Sequence, residues 1–252
     1  MGRLIRFAVT ESGMESTLLY TARTLKQALH PLALKLENDY LSTTTRPFIA
    51  AVAGPPGCGK SALAAVLCAL LQREGLSAVV LPMDGFHRKN EDLRAESIRI
   101  EGREVTLLNI KGARETYDVE SLIESTKLLR EGSLAYWPLY SRTLHEPVER
   151  GIPLGHAEAL YLMEGNYLLL DIDPWKRLLP LYDRKILILS RERMLRRRII
   201  RRKMRGGYIR REAAGHFRRS DRRNIREVSE RSGSFDYLLA QEGRYRYRLL
   251  KG

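Results

Sequence analysis

Residues Gly54 to Ser61 read G-P-P-G-C-G-K-S, a complete G-x-x-x-x-G-K-S run. Before it stands a short apolar segment, Pro47 to Ala53, and after it a run of strong helix formers, Ala62 to Leu71, that stops near Gly75. The order strand, glycine loop, helix is the context this motif needs. Glycines let the backbone wrap a polyphosphate with its N–H groups inward, and the helix start adds its positive end. A lysine at position 60 then reaches the β- and γ-phosphates, and the Ser61 hydroxyl is a magnesium ligand. Gly54, Pro55, Gly57, Cys58, Gly59, Lys60, Ser61 and Ala62 are therefore the expected binding residues for a nucleoside triphosphate with Mg2+. A glycine-rich turn that binds nothing explains neither the lysine nor the serine.

A chain of 252 residues suggests one large α/β domain or one domain with embellishments, and an apolar share of 44% fills an ordinary core. No apolar run approaches the length of a membrane span. The N-terminal residues Met1 to Phe7 lack the apolar core of a signal peptide, so a cytoplasmic protein is expected. The two cysteines, Cys58 and Cys68, are held apart by loop and helix, and no disulfide is expected. Cys58 at a helix start is a candidate for an acidified thiol, but a small residue merely filling the loop is the preferred reading.

The net charge of +14 is concentrated in one segment. Between Arg191 and Arg231 sixteen arginines and one lysine stand against five acids, a surplus of twelve. Ahead of the glycine loop, Leu4 to Val9 and Thr17 to Tyr20 read as a hairpin turning at Ser12-Gly13. Leu25, Leu29, Leu32 and Leu36 keep helical spacing, with a kink expected at Pro31. Residues 1–45 are thus expected to be a small appendage to a main domain of residues 46–252. That domain alternates strand and helix. Ser77 to Leu81, Ser133 to Trp137, Ala159 to Met163 and Lys185 to Leu189 read as strands, and Tyr245 to Leu249 as an edge strand. Helices are expected from Asp118 to Arg130, from Arg193 to Lys203 and from Arg210 to Val228, the last two separated by Gly206-Gly207. The pattern predicts a mostly parallel sheet with helices on both faces, a three-layer α/β/α fold of the P-loop NTPase class.

In such a sheet the strand ends share one edge. Asp84 follows the strand after the glycine loop and Glu164 ends the strand near Met163, so two carboxylates converge on the triphosphate. One can hold magnesium and the other take a proton from an attacking hydroxyl. No Asn-Lys-x-Asp guanine-reading motif occurs. Instead an arginine-rich helix, Arg196 to Lys203, follows a strand. Arg198 and Arg201 share a face suited to covering a moving phosphoryl group as part of a lid at about 191–229.

The stretch from Pro47 to Asp236 resembles the uridine kinase, pantothenate kinase and phosphoribulokinase group of P-loop kinases. Met83-Asp84-Gly85-Phe86 is similar to the Asp-Gly-Phe of bacterial pantothenate kinase, whose aspartate is the base. Lys111 to Asp118 is similar to its Lys-Gly-Phe-Pro-Glu-Ser-Tyr-Asp, departing at Ala113-Arg114. Pro138 to His145 resembles the Pro-x-Tyr-Asp-Phe-x-x-His of uridine kinase, with Ser141-Arg142 in place of Asp-Phe. The resemblance is closest to a bacterial branch that includes a kinase associated with fructose uptake. It implies an ATP- and magnesium-dependent kinase, with Asp84 as base, Lys60, Arg198 and Arg201 assisting transfer, and Ser61 and Glu164 at the metal. His87, Tyr117, Tyr140, Arg142, His145 and Asn166 are the expected acceptor residues. Tyr167 borders the same region, and Trp175 is expected to pack. A sugar or polyol is the favoured acceptor, then a pantothenate-like compound or a nucleoside. The competing reading is a nucleic-acid-associated ATPase, or an idle ATP-binding regulatory module, using residues 191–231. Against it, base-stacking aromatics there are limited to Tyr208 and Phe217, so no specific nucleic acid is expected as a partner. The sequence leaves the oligomeric state open, a homodimer being the candidate assembly.

Overall fold

The computed structural model describes residues 3–11, 14–155 and 159–252, so the Ser12-Gly13 turn lies outside the described residues. Strands β1 (Leu4–Glu11) and β2 (Met14–Thr21) pair antiparallel and lead into a continuous helix, residues 22–42. Pro31 does not interrupt that helix. The preceding turn widens to a π-helical stretch, Leu25–Leu29, which accommodates a residue lacking an amide hydrogen.

The central sheet follows. Strand β3 (Phe48–Ala53) feeds the glycine loop and the helix Lys60–Arg73, and β4 (Ala78–Pro82) leads to the turn Met83–Phe86. A short helix, Asn90–Ala95, precedes the hairpin of β5 (Ser97–Ile100) and β6 (Arg103–Thr106). The helix Val119–Arg130 starts where the Asp118 side chain accepts from the Ser121 amide at 3.0 Å, as expected of a cap. A second hairpin joins β7 (Tyr136–Ser141) to β8 (Glu146–Pro153). Then come β9 (Leu160–Gly165), β10 (Arg184–Ser190), the helix Glu192–Arg205 and a second helical run, residues 210–231. The chain ends in β11 (Tyr237–Gly243) and β12 (Arg246–Lys251). The sheet order is β12-β11-β10-β3-β9-β4, parallel throughout except for the antiparallel edge strand β12.

One expectation is overturned here. The segment read as a strand from Ser133 lies outside the central sheet, starts at Tyr136 and, among the described residues, pairs only with β8. Pro138 within it cannot donate to a ladder, which excludes a central position. Trp137 instead anchors it from the side, its buried Nε1 donating to the Pro82 carbonyl at 2.9 Å.

Alternate residues of β3 point to opposite faces. Ala50 and Val52 join a core with Leu63, Leu67, Ile186 and Leu239, while Ile49, Ala51 and Ala53 join Leu122, Met163, Tyr167 and Trp175. The N-terminal helix contributes Leu29, Leu32 and Leu36, all fully buried, to the first of these cores. Leu32→Ala is therefore expected to destabilise the whole chain by ~2–5 kcal/mol, the usual cost of emptying a buried leucine site. A single shifted denaturation transition checks it. An unchanged main transition would mean the helix unfolds independently.

Candidate active site

The glycine loop is shaped by its own backbone and braced from the last strand. Gly59 adopts φ +94°, a left-handed conformation, and a Cβ there would fall 2.5 Å from the Tyr247 hydroxyl. That hydroxyl, on β12, donates to the Cys58 carbonyl at 2.7 Å and accepts from Gln241 Nε2 at 3.0 Å. Burial pushes the Tyr247 hydroxyl up to about 12, so it stays a donor. Tyr247→Phe is expected to cost ~1–3 kcal/mol, because the buried Cys58 carbonyl loses its partner. A thermal melt checks the loss, and a nucleotide titration should show weaker binding in step. Cys58 is fully buried and burial pushes its thiol up, so it fills the loop rather than reacting.

The strand ends bring the charged groups together. Val52, Glu164 and Pro82 stand side by side in neighbouring strands. This sets Glu164 beside the loop, with Asp84 just beyond the end of β4. Lys60 is buried, and its Nζ donates to Asn166 Oδ1 at 2.6 Å and to the Pro55 carbonyl at 3.5 Å. Asn166 therefore sits on the phosphate side, steadying the lysine. Glu164 is buried, whereas Asp84 is exposed at the same sheet edge. A Cβ on Gly85 would strike the Pro138 carbonyl at 2.1 Å, so only glycine lets β7 cross the Asp84 turn this closely.

A cluster of rings surrounds Asp84. The Tyr117 hydroxyl donates to Asp84 Oδ1 at 3.1 Å, and burial, reinforced by the Asp84 charge, pushes that hydroxyl well up and keeps it protonated. His87 Nδ1 lies 2.8 Å from the Asp84 carbonyl, which can only accept, so Nδ1 carries the proton. Burial lowers the pKa of His87 against the pull of Asp84, leaving Nε2 a neutral acceptor. The His87 ring lies 4.0 Å from Tyr117 and 4.9 Å from Tyr140 between centroids. Tyr167 and Trp175 pack beneath Tyr117. Lys111 was not singled out from the sequence. Its Nζ stands 5.0 Å over the Tyr140 ring and donates to Asn90 Oδ1 at 2.6 Å and to the His145 carbonyl at 3.0 Å. Its place at the head of the Lys-Gly run was the available signal. His145 thus enters through its backbone carbonyl.

Arg142 is not in this ring cluster. It lines a cavity of about 650 Å³ with Gly57, Gly59 to Ala62 and four arginines of the helix Glu192–Arg205, Arg197, Arg198, Arg201 and Arg202. Tyr20 from the N-terminal hairpin and Tyr245 from the β11–β12 turn close another side. Arg198 Nη1 is buried there and has no hydrogen-bond partner among the described residues. A buried donor without an acceptor is costly unless a ligand supplies one. The glycine cradle, Lys60 and this unpartnered Arg198 Nη1 fit a triphosphate.

Residues 49–220 match the Phosphoribulokinase / Uridine kinase family, well over half of the chain. The chain belongs to that family. It is 33% identical over 248 residues to the uncharacterized protein YggC of Escherichia coli, covering 96% of this chain and 99% of the relative. It is 32% identical over 197 residues to a proposed uridine kinase of Schizosaccharomyces pombe, covering 75% and 81%. Among solved structures, a proposed fructose transport system kinase from Silicibacter superposes with a TM-score of 0.76 at 28% identity, covering 85% of this chain and 98% of that one. This family member is a P-loop kinase with the three-layer fold, its parallel sheet flanked by helices.

Proposed function

We propose that this kinase transfers the γ-phosphoryl group of ATP, with magnesium, to an alcohol of a small polar metabolite, a sugar or polyol before a pantothenate-like compound or a nucleoside. The observation that carries this reading is Asp84: an exposed carboxylate, oriented by Tyr117, on the same sheet edge as Lys60. Asp84 takes the proton of the attacking hydroxyl, Lys60 draws the β- and γ-phosphates into line, and Arg198 and Arg201 cover the developing charge. Magnesium, when bound, neutralises phosphate charge. Ser61 and Glu164 are the residues that would hold it, directly or through water, and a site with few protein ligands suits an ion that arrives with the triphosphate.

The acceptor class rests on the ring cluster. His87 and Tyr140 offer flat faces, while Asp84 and the His87 Nε2 offer acceptors for hydroxyls. The description of the Silicibacter relative points the same way, toward a sugar. Ser141-Arg142 in place of Asp-Phe places nucleosides lower, since Arg142 turns to the phosphate cavity. The nucleic-acid reading is weakened by the basic segment itself. Phe217 is buried in the core, and Arg222, Arg223 and Arg226 are engaged with Glu192, Glu115 and Glu230. Among the described residues no helix is long and apolar enough to cross a membrane. ADP release measured with ATP and Mg2+ across a library of sugars, polyols, vitamins and nucleosides tests the proposal. The expected result is acceptor-dependent turnover with one chemical class. ADP release that no acceptor stimulates, but that RNA or DNA does, would reverse it.

A further inference from the structure

The β5–β6 hairpin and the helical run 210–231 face one another across a second cavity, of about 1080 Å³, just above the ~300–1,000 Å³ usual for small-molecule sites. It shares no lining residue with the phosphate cavity. Between it and Asp84 runs the loop 111–117. Tyr117 turns to Asp84, whereas Arg114 lines the second cavity and pairs with Glu227 at 2.9 Å. The neighbouring Glu115 holds Arg223, and the Gly112 carbonyl accepts from Asn224 Nδ2 at 3.3 Å.

The cavity's charge is only partly spent on these contacts. Arg114, Arg222, Arg223 and Arg226 have carboxylate partners. Arg103 on the hairpin and Arg218, Arg219 and Arg231 on the helical run line the same space and make no ion pair among the described residues. All four are exposed and free to turn toward an anion, and guanidinium groups match phosphate oxygens in shape. In the cavity wall, Arg114 Nε is held by Glu227 Oε1, while the other carboxylate oxygen, Glu227 Oε2, is buried without a hydrogen-bond partner among the described residues.

The carboxylates narrow the ligand. Glu101, Glu104, Glu227 and Glu230 also line the cavity. They repel a continuous phosphate backbone but accept hydrogen bonds from hydroxyls. The unpaired arginines stand on both walls, Arg103 on the hairpin and Arg218, Arg219 and Arg231 on the helical run, and guanidiniums on opposite walls suit a ligand with a phosphate group toward each. We propose that the space between the β5–β6 hairpin and the helical run is a binding site, separate from the phosphoryl-transfer site, for a small hydroxylated metabolite bearing two phosphate groups.

Calorimetric titration of the full chain with fructose 1,6-bisphosphate, and separately with inorganic pyrophosphate, tests this. Wild type and Lys60→Ala should bind the sugar bisphosphate equally, because the glycine loop is not used. Arg103→Glu and Arg219→Glu, both at exposed and unpaired positions, should keep the wild-type melting temperature and weaken binding about tenfold or more each. Should either charge reversal fail to fold, Arg218→Glu carries the same expectation. Pyrophosphate, which lacks hydroxyls, should bind this cavity more weakly than the sugar bisphosphate. Absence of sugar bisphosphate binding to wild type, its loss in Lys60→Ala, or indifference to the arginine reversals would overturn the site. So would equal or tighter binding of pyrophosphate there, or displacement of the sugar bisphosphate by a single-stranded oligonucleotide at physiological salt.

Discussion

Asp84→Asn is expected to bind ATP as the parent does and to lose about 10²–10⁴ in acceptor-dependent turnover, the usual contribution of a general base. The amide keeps the shape of the carboxyl, and its oxygen still accepts from Tyr117, whose hydroxyl remains protonated. What disappears is the carboxylate proposed to take the acceptor's proton. The alternative base, His87 Nε2, is a neutral acceptor held by the same turn. A double substitution separates the two. If His87 substitutes for the missing carboxylate, His87→Gln added to Asp84→Asn will lower the rate again. If Asp84 acts alone, the second change alters acceptor KM and leaves the residual kcat in place. Steady-state kinetics with the acceptor found in the screen, beside a nucleotide titration, decides. Near-normal kcat in Asp84→Asn would take the residue out of the catalytic role.

The parts of this site that were legible in the sequence are those whose chemistry is local. The glycine loop, the helix after it, and the strand ends at Asp84 and Glu164 each depend on a few adjacent residues whose types admit one backbone path. The hydrophobic periods of β3, β9 and β10 are short apolar runs buried on both sides, which also read directly. What was not legible depends on distant partners. Nothing near Tyr247 signals that its hydroxyl braces a carbonyl 189 positions earlier in the chain. Arg142 belongs by sequence to the acceptor motif, yet the β7–β8 hairpin carries it to the cavity lined by Arg197, Arg198, Arg201 and Arg202. The β5–β6 hairpin was missed although Ile98, Ile100 and Val105 alternate around Glu101-Gly102. Its apolar side chains pack on a small satellite core with Leu93 and Leu107, not on the main sheet. Strand β11 was missed although Tyr237 to Ala240 form a short apolar run; it ends at once in Gln241 and Glu242, and Gln241 is a polar residue buried to hold Tyr247 and Ser190. Each miss is a residue placed by tertiary contact rather than by local propensity.

Lys60→Ala is expected to abolish productive nucleotide use, with affinity and turnover falling together. Lys60 is the charge that the helix start and the glycine loop present to the β- and γ-phosphates, and its burial removes the water that would screen it. A hydrogen bond to a charged group contributes about 1.5–3 kcal/mol, which corresponds to a loss of roughly 10–150-fold in nucleotide affinity. The transition state, with charge moving onto the bridging oxygen, should lose more than the ground state, so kcat falls as well. Asn166 provides the control. Its Oδ1 accepts from Lys60 at 2.6 Å, so Asn166→Ala leaves the charge in place and frees its direction. That variant should lower kcat with little change in nucleotide Kd, and Lys60→Ala should lower both. The fold should survive in each, since Asn166 is half-buried and water can replace the lost partner. Unchanged triphosphate binding by calorimetry in Lys60→Ala would remove the loop from nucleotide recognition, and with it the ATP-dependent reading of the Asp84 edge.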